Sequence, residues 1–138
     1  MGANRGYVTT ILGRKCRFNL YEPFDRREMP YPIEKAMDMY GGRLKRAHTY
    51  KAMNRLIQGS AADMTKKAML DLYKEGISAH TQVHDELNIS IKDKKECEKV
   101  VEIMRDCVEL KVPNKVDAEI GKNWGDVKDY KEYFNEKN

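Results

Sequence analysis

One long amphipathic segment, from about Ala47 to Lys74, constrains this 138-residue chain more than any other feature. Met53, Leu56, Ile57, Met64, Ala68 and Leu72 recur with helical phase and predict a single apolar stripe. A helix of this kind draws most of its stability from whatever covers that stripe, so the remaining elements must pack on it. Lys51, Asn54 and Gln58 follow one another at intervals of three and four and define a second face, polar but barely charged. Between them lies "QGSAAD", whose Gly59 costs about 1 kcal/mol relative to alanine inside a helix. A glycine kept at that cost predicts a backbone passing close by, and the hairpin that follows the helix is the expected neighbour.

Glu75-Gly76 ends the helical pattern, and residues 77–91 alternate as two strands interrupted by His84, Asp85 and Glu86. A three-residue connection 84–86 sets Val83 opposite Leu87, Thr81 opposite Ile89 and Ala79 opposite Ile91, which puts Asp85 at the apex. Asp93 with Glu96 predicts a helix N-terminus, and Cys97, Val100, Val101, Met104 and Val108 predict its buried stripe, with Pro113 closing it. "KVDAEIG" then alternates as a short edge strand, and "KNWGD" is a turn before a polar tail.

Upstream, "GYVTTILGRKCRF" predicts a β-hairpin with Arg14, Lys15 and Arg17 on or just after its bend. Prolines 23, 30 and 32 and the pair Gly41-Gly42 make residues 21–46 a loop-rich insertion with room for one short helix, Ile33 to Tyr40. The expected fold is α+β, as a single partial domain: a basic hairpin in residues 1–20, the insertion 21–46, and a helix-hairpin-helix-strand core in residues 47–138. Lys plus Arg number 26 against 22 Asp plus Glu, so polyanionic partners are compatible with the charge but not required by it. The three cysteines have no zinc spacing, and no apolar run reaches the ~20 residues of a spanning helix. A cytoplasmic protein without membrane attachment is the expectation.

Asp85 and Glu86 are hard oxygen donors suited to Mg2+, although one loop cannot build a complete site. Taken alone, "HDE" is an ordinary charged turn, and the Lys51, Asn54, Gln58 face is an ordinary solvated one. A zinc hydrolase lacks its second histidine, and no nucleophile sits on a recognisable elbow. Asn and Gln can read minor-groove acceptors, and the basic hairpin can bind phosphates.

In combination, "NRLIQGSAAD" (Asn54 to Asp63), "QVHDEL" (Gln82 to Leu87) and the closing "VPNKVDAEIGKNWGD" resemble the C-terminal part of family A DNA polymerases. "GYVTTILGRKCRF" resembles the segment after the fingers helices of those enzymes. The resemblance spans nearly the whole chain and implies a partial palm. It implies that Asp85 is a ligand of two catalytic Mg2+ ions, that Glu86 is close to that site, and that His84 is near the primer terminus. It further implies that Asn54 and Gln58 touch primer and template from the minor-groove side, with Lys51, Arg14, Lys15 and Arg17 as additional DNA contacts.

The departures from the family pattern are specific. Tyr50 stands where many members have an arginine, and the segment between Arg17 and Arg46 looks longer than in the bacterial enzymes. The strand carrying the second metal aspartate and the fingers helix that grips the incoming nucleotide are both missing, and "KAMDMYGG" lies on the wrong side of "GYVTTILGR" to be that helix. The expectation is therefore a separately encoded or separately expressed C-terminal piece, from a split or truncated phage-type polymerase of a bacterial or phage-infected cell, inactive alone. Its partners would be primer-template DNA, a fragment with the fingers and the other palm aspartate, and, through that fragment, deoxynucleoside triphosphates. The alternative is a DNA-binding remnant without catalysis.

Overall fold

The computed structural model describes residues 5–136 and is mixed helix and strand, with small antiparallel sheets. Residues 1–4 of the expected basic hairpin segment and 137–138 of the expected tail lie outside the described residues. The elements in chain order are β1 (Tyr7–Thr9), β2 (Lys15–Arg17), β3 (Leu20–Pro23), β4 (Tyr31–Pro32), α1 (Ile33–Tyr40) and β5 (Leu44–Arg46). A 3-10 turn (Thr49–Lys51) leads into α2 (Ala52–Lys74). Then follow β6 (Ala79–Val83), β7 (Glu86–Ile89), α3 (Lys94–Asp106), β8 (Glu119–Gly121), β9 (Val127–Asp129) and α4 (Tyr130–Asn135). The chain divides into two compact units, with the boundary between Asp63 and Met64 inside α2.

In the first unit β1 and β2 form the expected hairpin, with Val8 opposite Cys16. Its bend is closed by Thr10, whose hydroxyl donates to the Arg14 carbonyl (3.2 Å) and accepts from the Arg14 N–H (3.0 Å). The expected loop-rich stretch 21–46 is instead a three-stranded sheet in the order β4-β3-β5, packed with α1 over the fully buried Ala36. The prolines conceal it: Pro32 sits on an edge strand and Pro23 ends the central one, the places where a missing N–H is tolerated. The same sheet shortens the long helix. Ala47 donates its N–H to Leu20 O (2.8 Å) and His48 takes a left-handed conformation (φ 60), so regular α-helix starts at Ala52 instead of Ala47.

Gly59 does mark a close approach, but the partner is the N-terminal hairpin. A Cβ on Gly59 would lie 2.8 Å from Thr10 Cγ2 and 3.7 Å from Cys16 Sγ. Ser60 on the next position accepts the Ile11 N–H (3.0 Å) and donates to Leu56 O (2.7 Å). The small residues of "QGSAAD" thus receive the β1–β2 turn. The expected apolar stripe is only partly covered here: Met53 is 67% and Ile57 57% exposed.

In the second unit the stripe is buried. Leu72 is fully enclosed and packs with Ile77 and Val100, joined by Leu87, Ile89, Ile103 and Met104. The helix stops as the sequence requires: Gly76 (φ 77) donates to Tyr73 O and Ile77 donates to Leu72 O, each at 3.0 Å, so a left-handed glycine satisfies the last carbonyls and turns Ile77 back onto Leu72. Asp93 caps α3 by accepting the Glu96 N–H (2.9 Å), and Cys97, Val100 and Val108 are buried as expected. Pro113 does not end that helix, which stops at Asp106; Asn114 reaches back to the terminal carbonyls of Met104 (3.5 Å) and Arg105 (3.3 Å). The edge strand is confined to Glu119–Gly121, and the expected polar tail supplies its partner β9 and the short helix α4.

Two consequences are measurable. Gly59→Ala adds a methyl against Thr10 that outweighs the gain in helix propensity, so it should lower stability by about 1 kcal/mol or more. In a Thr10→Ser background, which removes Cγ2, the same change should be neutral or stabilising; urea denaturation of the four proteins checks this. In the second unit, a hydrogen bond from Lys67 holds the Asp71 carboxyl below its usual pKa, against the opposing effect of desolvation. A depressed carboxylate pKa stabilises the fold fully above the ordinary value of about 4 and less as pH falls through the depressed one. Thermal midpoints of wild type and Asp71→Asn should therefore differ at pH 7 and converge as the pH is lowered through and below 4.

Candidate functional site

The acidic turn is built by β6 and β7, which a two-stranded ribbon alone could not hold in water. Leu87 and Ile89 anchor it on the Leu72 core. Its register differs from the expected one. Val83 pairs with Glu86, Gln82 with Leu87 and Thr81 with Asn88, so the connection is two residues, His84 and Asp85, and Glu86 opens β7. An irregularity between Ala79 and Thr81 then places Ala79 opposite Ile89. That extra residue restores the apolar pairing near the core, while Val83 at the distal end is left 51% exposed. The tight turn requires a positive φ, and His84 supplies it (φ 54); its carbonyl accepts from Gln82 Nε2 (2.9 Å).

Asp85 and Glu86 are both exposed, and among the described residues neither carboxylate makes an ion pair or a side-chain hydrogen bond. Such carboxylates have the donor chemistry that Mg2+ prefers, and they are available to it. Among the described residues no three of His, Cys, Asp and Glu are grouped so as to hold a metal ion.

Lys51, Asn54 and Gln58 lie in the first unit and are exposed. Lys51 belongs to the 3-10 turn, with its ammonium 5.6 Å from the ring centre of Tyr50, which is itself 75% exposed. Among the described residues the side chains of Asn54 and Gln58 make no hydrogen bond, so their amides are open to a ligand. On the hairpin, Lys15 lies over Tyr7 (4.9 Å) and Arg17 is exposed.

Arg14 is placed differently. Its Nε donates to Asp63 (2.8 Å) and its Nη2 to Gly59 O (2.9 Å), so this guanidinium fastens the hairpin to α2. Asp63 is 5% exposed and was not singled out from the sequence. Its phase, four residues after Gly59 on the same face, was the available signal. Arg55 was missed too: it donates to Arg17 O (3.2 Å) and lies 4.7 Å from the ring centre of Phe18. Charge is also unevenly divided. Residues 5–63 hold 12 Lys and Arg against 6 Asp and Glu, whereas residues 64–138 hold 14 against 16. The first unit is therefore the one suited to phosphates, and the exposed acidic turn belongs to the other.

Comparison with known proteins gives the family. The model of DNA polymerase family A matches residues 2–126. A DNA-directed DNA polymerase of Pseudomonas phage M6 is 42% identical over 120 residues, which cover 87% of this chain and 15% of the phage protein. DNA polymerase I of Bacillus caldotenax is 38% identical over 135 residues, covering 90% of this chain and 13% of its own length. DNA polymerase theta of Drosophila melanogaster is 35% identical over 102 residues, 62% of this chain and 5% of that protein. This chain belongs to DNA polymerase family A. It spans about one seventh of the bacterial and phage relatives it matches. Among the described residues no helix is long and apolar enough to cross a membrane.

The Arg14–Asp63 contact makes a prediction that separates a fastening residue from a surface cation. Arg14→Ala leaves a nearly buried carboxylate short of its cation and should cost about 2 kcal/mol. Lys15→Ala should stay within about 0.5 kcal/mol of wild type. Chemical denaturation of both variants measures the difference.

Proposed function

We propose that this chain supplies the C-terminal palm portion of a DNA-directed DNA polymerase in DNA replication. In this reading Asp85, with Glu86 beside it, contributes to a Mg2+ site that is completed by a palm aspartate from another segment. The observation that carries the proposal is the acidic turn itself: two uncommitted carboxylates, exposed at the tip of a hairpin whose strands are anchored in the Leu72 core. Bound there, Mg2+ would supply charge neutralisation at the transferring phosphate and activation of the primer 3'-hydroxyl.

The other residues act on the DNA. Asn54 and Gln58 present amides that can donate to minor-groove acceptors, and Lys51, Lys15 and Arg17 meet phosphates. Arg14 serves this surface by holding the hairpin that carries Lys15 and Arg17. His84 has two roles: its left-handed backbone makes the turn, and its ring stands next to Asp85 near the primer end. The nucleotide grip and the second aspartate come from a segment with the fingers, so the chain by itself is inactive and primer-template DNA and that segment are its partners.

The test is primer extension with the chain combined with a family A fragment that carries the fingers and the other palm aspartate. Extension should require both components and Mg2+. Asp85→Asn should lower it by at least roughly a hundredfold, the scale for losing one preorganised electrostatic contact, while DNA binding holds. Gln58→Ala should weaken primer-template positioning, and His84→Gly should keep the turn while removing the ring. Extension by Asp85→Asn at the wild-type rate would leave the non-catalytic DNA-binding reading in its place.

A further inference from the structure

The three-stranded sheet of the first unit carries a feature that the catalytic reading does not use. Between the end of β3 and the loop from α1 to β5 lies an open cleft of about 350 Å³, lined in part by Phe24, Arg26, Tyr40 and Arg43. We propose that this cleft binds single-stranded DNA, with a base stacked against Phe24 and its phosphate held by Arg43.

Phe24 is 58% exposed, although a phenyl ring gains most by burial. It is nevertheless fixed in place. Its N–H donates to Arg43 O (3.0 Å), extending the β3–β5 ladder one step beyond the Pro23–Leu44 pair, so ring and guanidinium project from adjacent strands. The Arg43 guanidinium lies 5.3 Å from the ring centre, and Lys45 Nζ lies 6.0 Å from it while donating to Phe24 O (3.2 Å). With 58% of Phe24 exposed beside the Arg43 guanidinium that lies over its ring, the pair can take a base and its phosphate together, and it is indifferent to sequence because every base has a π-face.

The rest of the lining narrows the assignment. Arg26 is already partnered by Glu28 (3.3 Å) and by Asp25 (3.9 Å), and the Tyr40 hydroxyl is donated to Met29 O (2.7 Å). Among the described residues the Arg43 guanidinium makes no hydrogen bond or ion pair, so it is the cation left for a phosphate. A base-plus-phosphate unit can come from a single strand or from a free nucleotide. The cleft is open at the ends of the strands, and Lys45 is already paired with Glu22 (3.8 Å), so Arg43 carries the phosphate contact and the open side favours a strand that continues past it.

The proposal rests on the polymerase reading only for the choice of DNA as ligand, and its test does not use catalysis. A fluorescein-labelled oligothymidylate of about 12 nucleotides, within the length range that single-strand sites cover, is titrated with the full chain in metal-free buffer and followed by anisotropy. Phe24→Ala should weaken binding roughly tenfold or more, and Phe24→Trp should retain it. Arg43→Ala should reduce the slope of log affinity against log salt by about 0.7, the value for one single-strand phosphate contact. Duplex DNA should bind Phe24→Ala and wild type alike. Wild-type affinity of Phe24→Ala for the oligonucleotide overturns the proposal, as does Phe24-dependent binding of dTTP that is tighter than that of the oligonucleotide. Loss of primer extension in Asp85→Asn is read separately, so failure here leaves the catalytic reading standing and the reverse also holds.

Discussion

Neither the β1–β2 nor the β6–β7 hairpin has a core of its own, and two-stranded ribbons of three to five residues are not stable in water. Both depend on α2. In the first unit the β1–β2 turn sits where α2 carries small residues: Gly59 leaves room for Thr10, and the Ser60 hydroxyl accepts the Ile11 N–H. In the second unit β6–β7 is held by apolar contact with Leu72, Ile77 and Val100. The first interaction is short-range and polar, the second is hydrophobic burial, and one helix supplies the surface for each.

That division accounts for how charge is placed. Arg14 lies in the basic hairpin, yet its guanidinium is taken up by Asp63 and the Gly59 carbonyl, because a docked turn over a nearly buried carboxylate needs a cation. Lys15 and Arg17, on the strand beyond the turn, face solvent. Among the described residues the carboxylates at positions 85 and 86 have no such partner.

Much of this was legible in sequence. The α+β class, the helix Ile33–Tyr40, the glycine stop after Lys74, the Asp93 cap and the buried stripe of α3 all follow from local patterns with local causes. The acidic turn and its neighbours were visible as "QVHDEL". Pro113 marked the end of α3 too late, and other readings failed where a distant partner competes for the same backbone. Ala47 continues the helical pattern, but its N–H belongs to Leu20 in the sheet. The strands around Pro23 and Pro32 are two to four residues long and exist only as a set.

The sequence by itself determined which residues carry charge, that the long helix stops at Glu75-Gly76, and that carboxylates would stand at a turn between two strands, because capping, helical phase and alternation act within a few residues. Only the tertiary structure decided which hairpin meets Gly59, that Arg14 is spent on Asp63, and that Glu86 lies in a strand while His84 makes the turn. Gly59 and Thr10 are 49 positions apart, as are Arg14 and Asp63, and no local pattern specifies a pairing at that separation. Register is equally non-local: the irregularity at His80 exists because Ala79 and Ile89 must share the face that the core covers, and the core is assembled from α2 and α3.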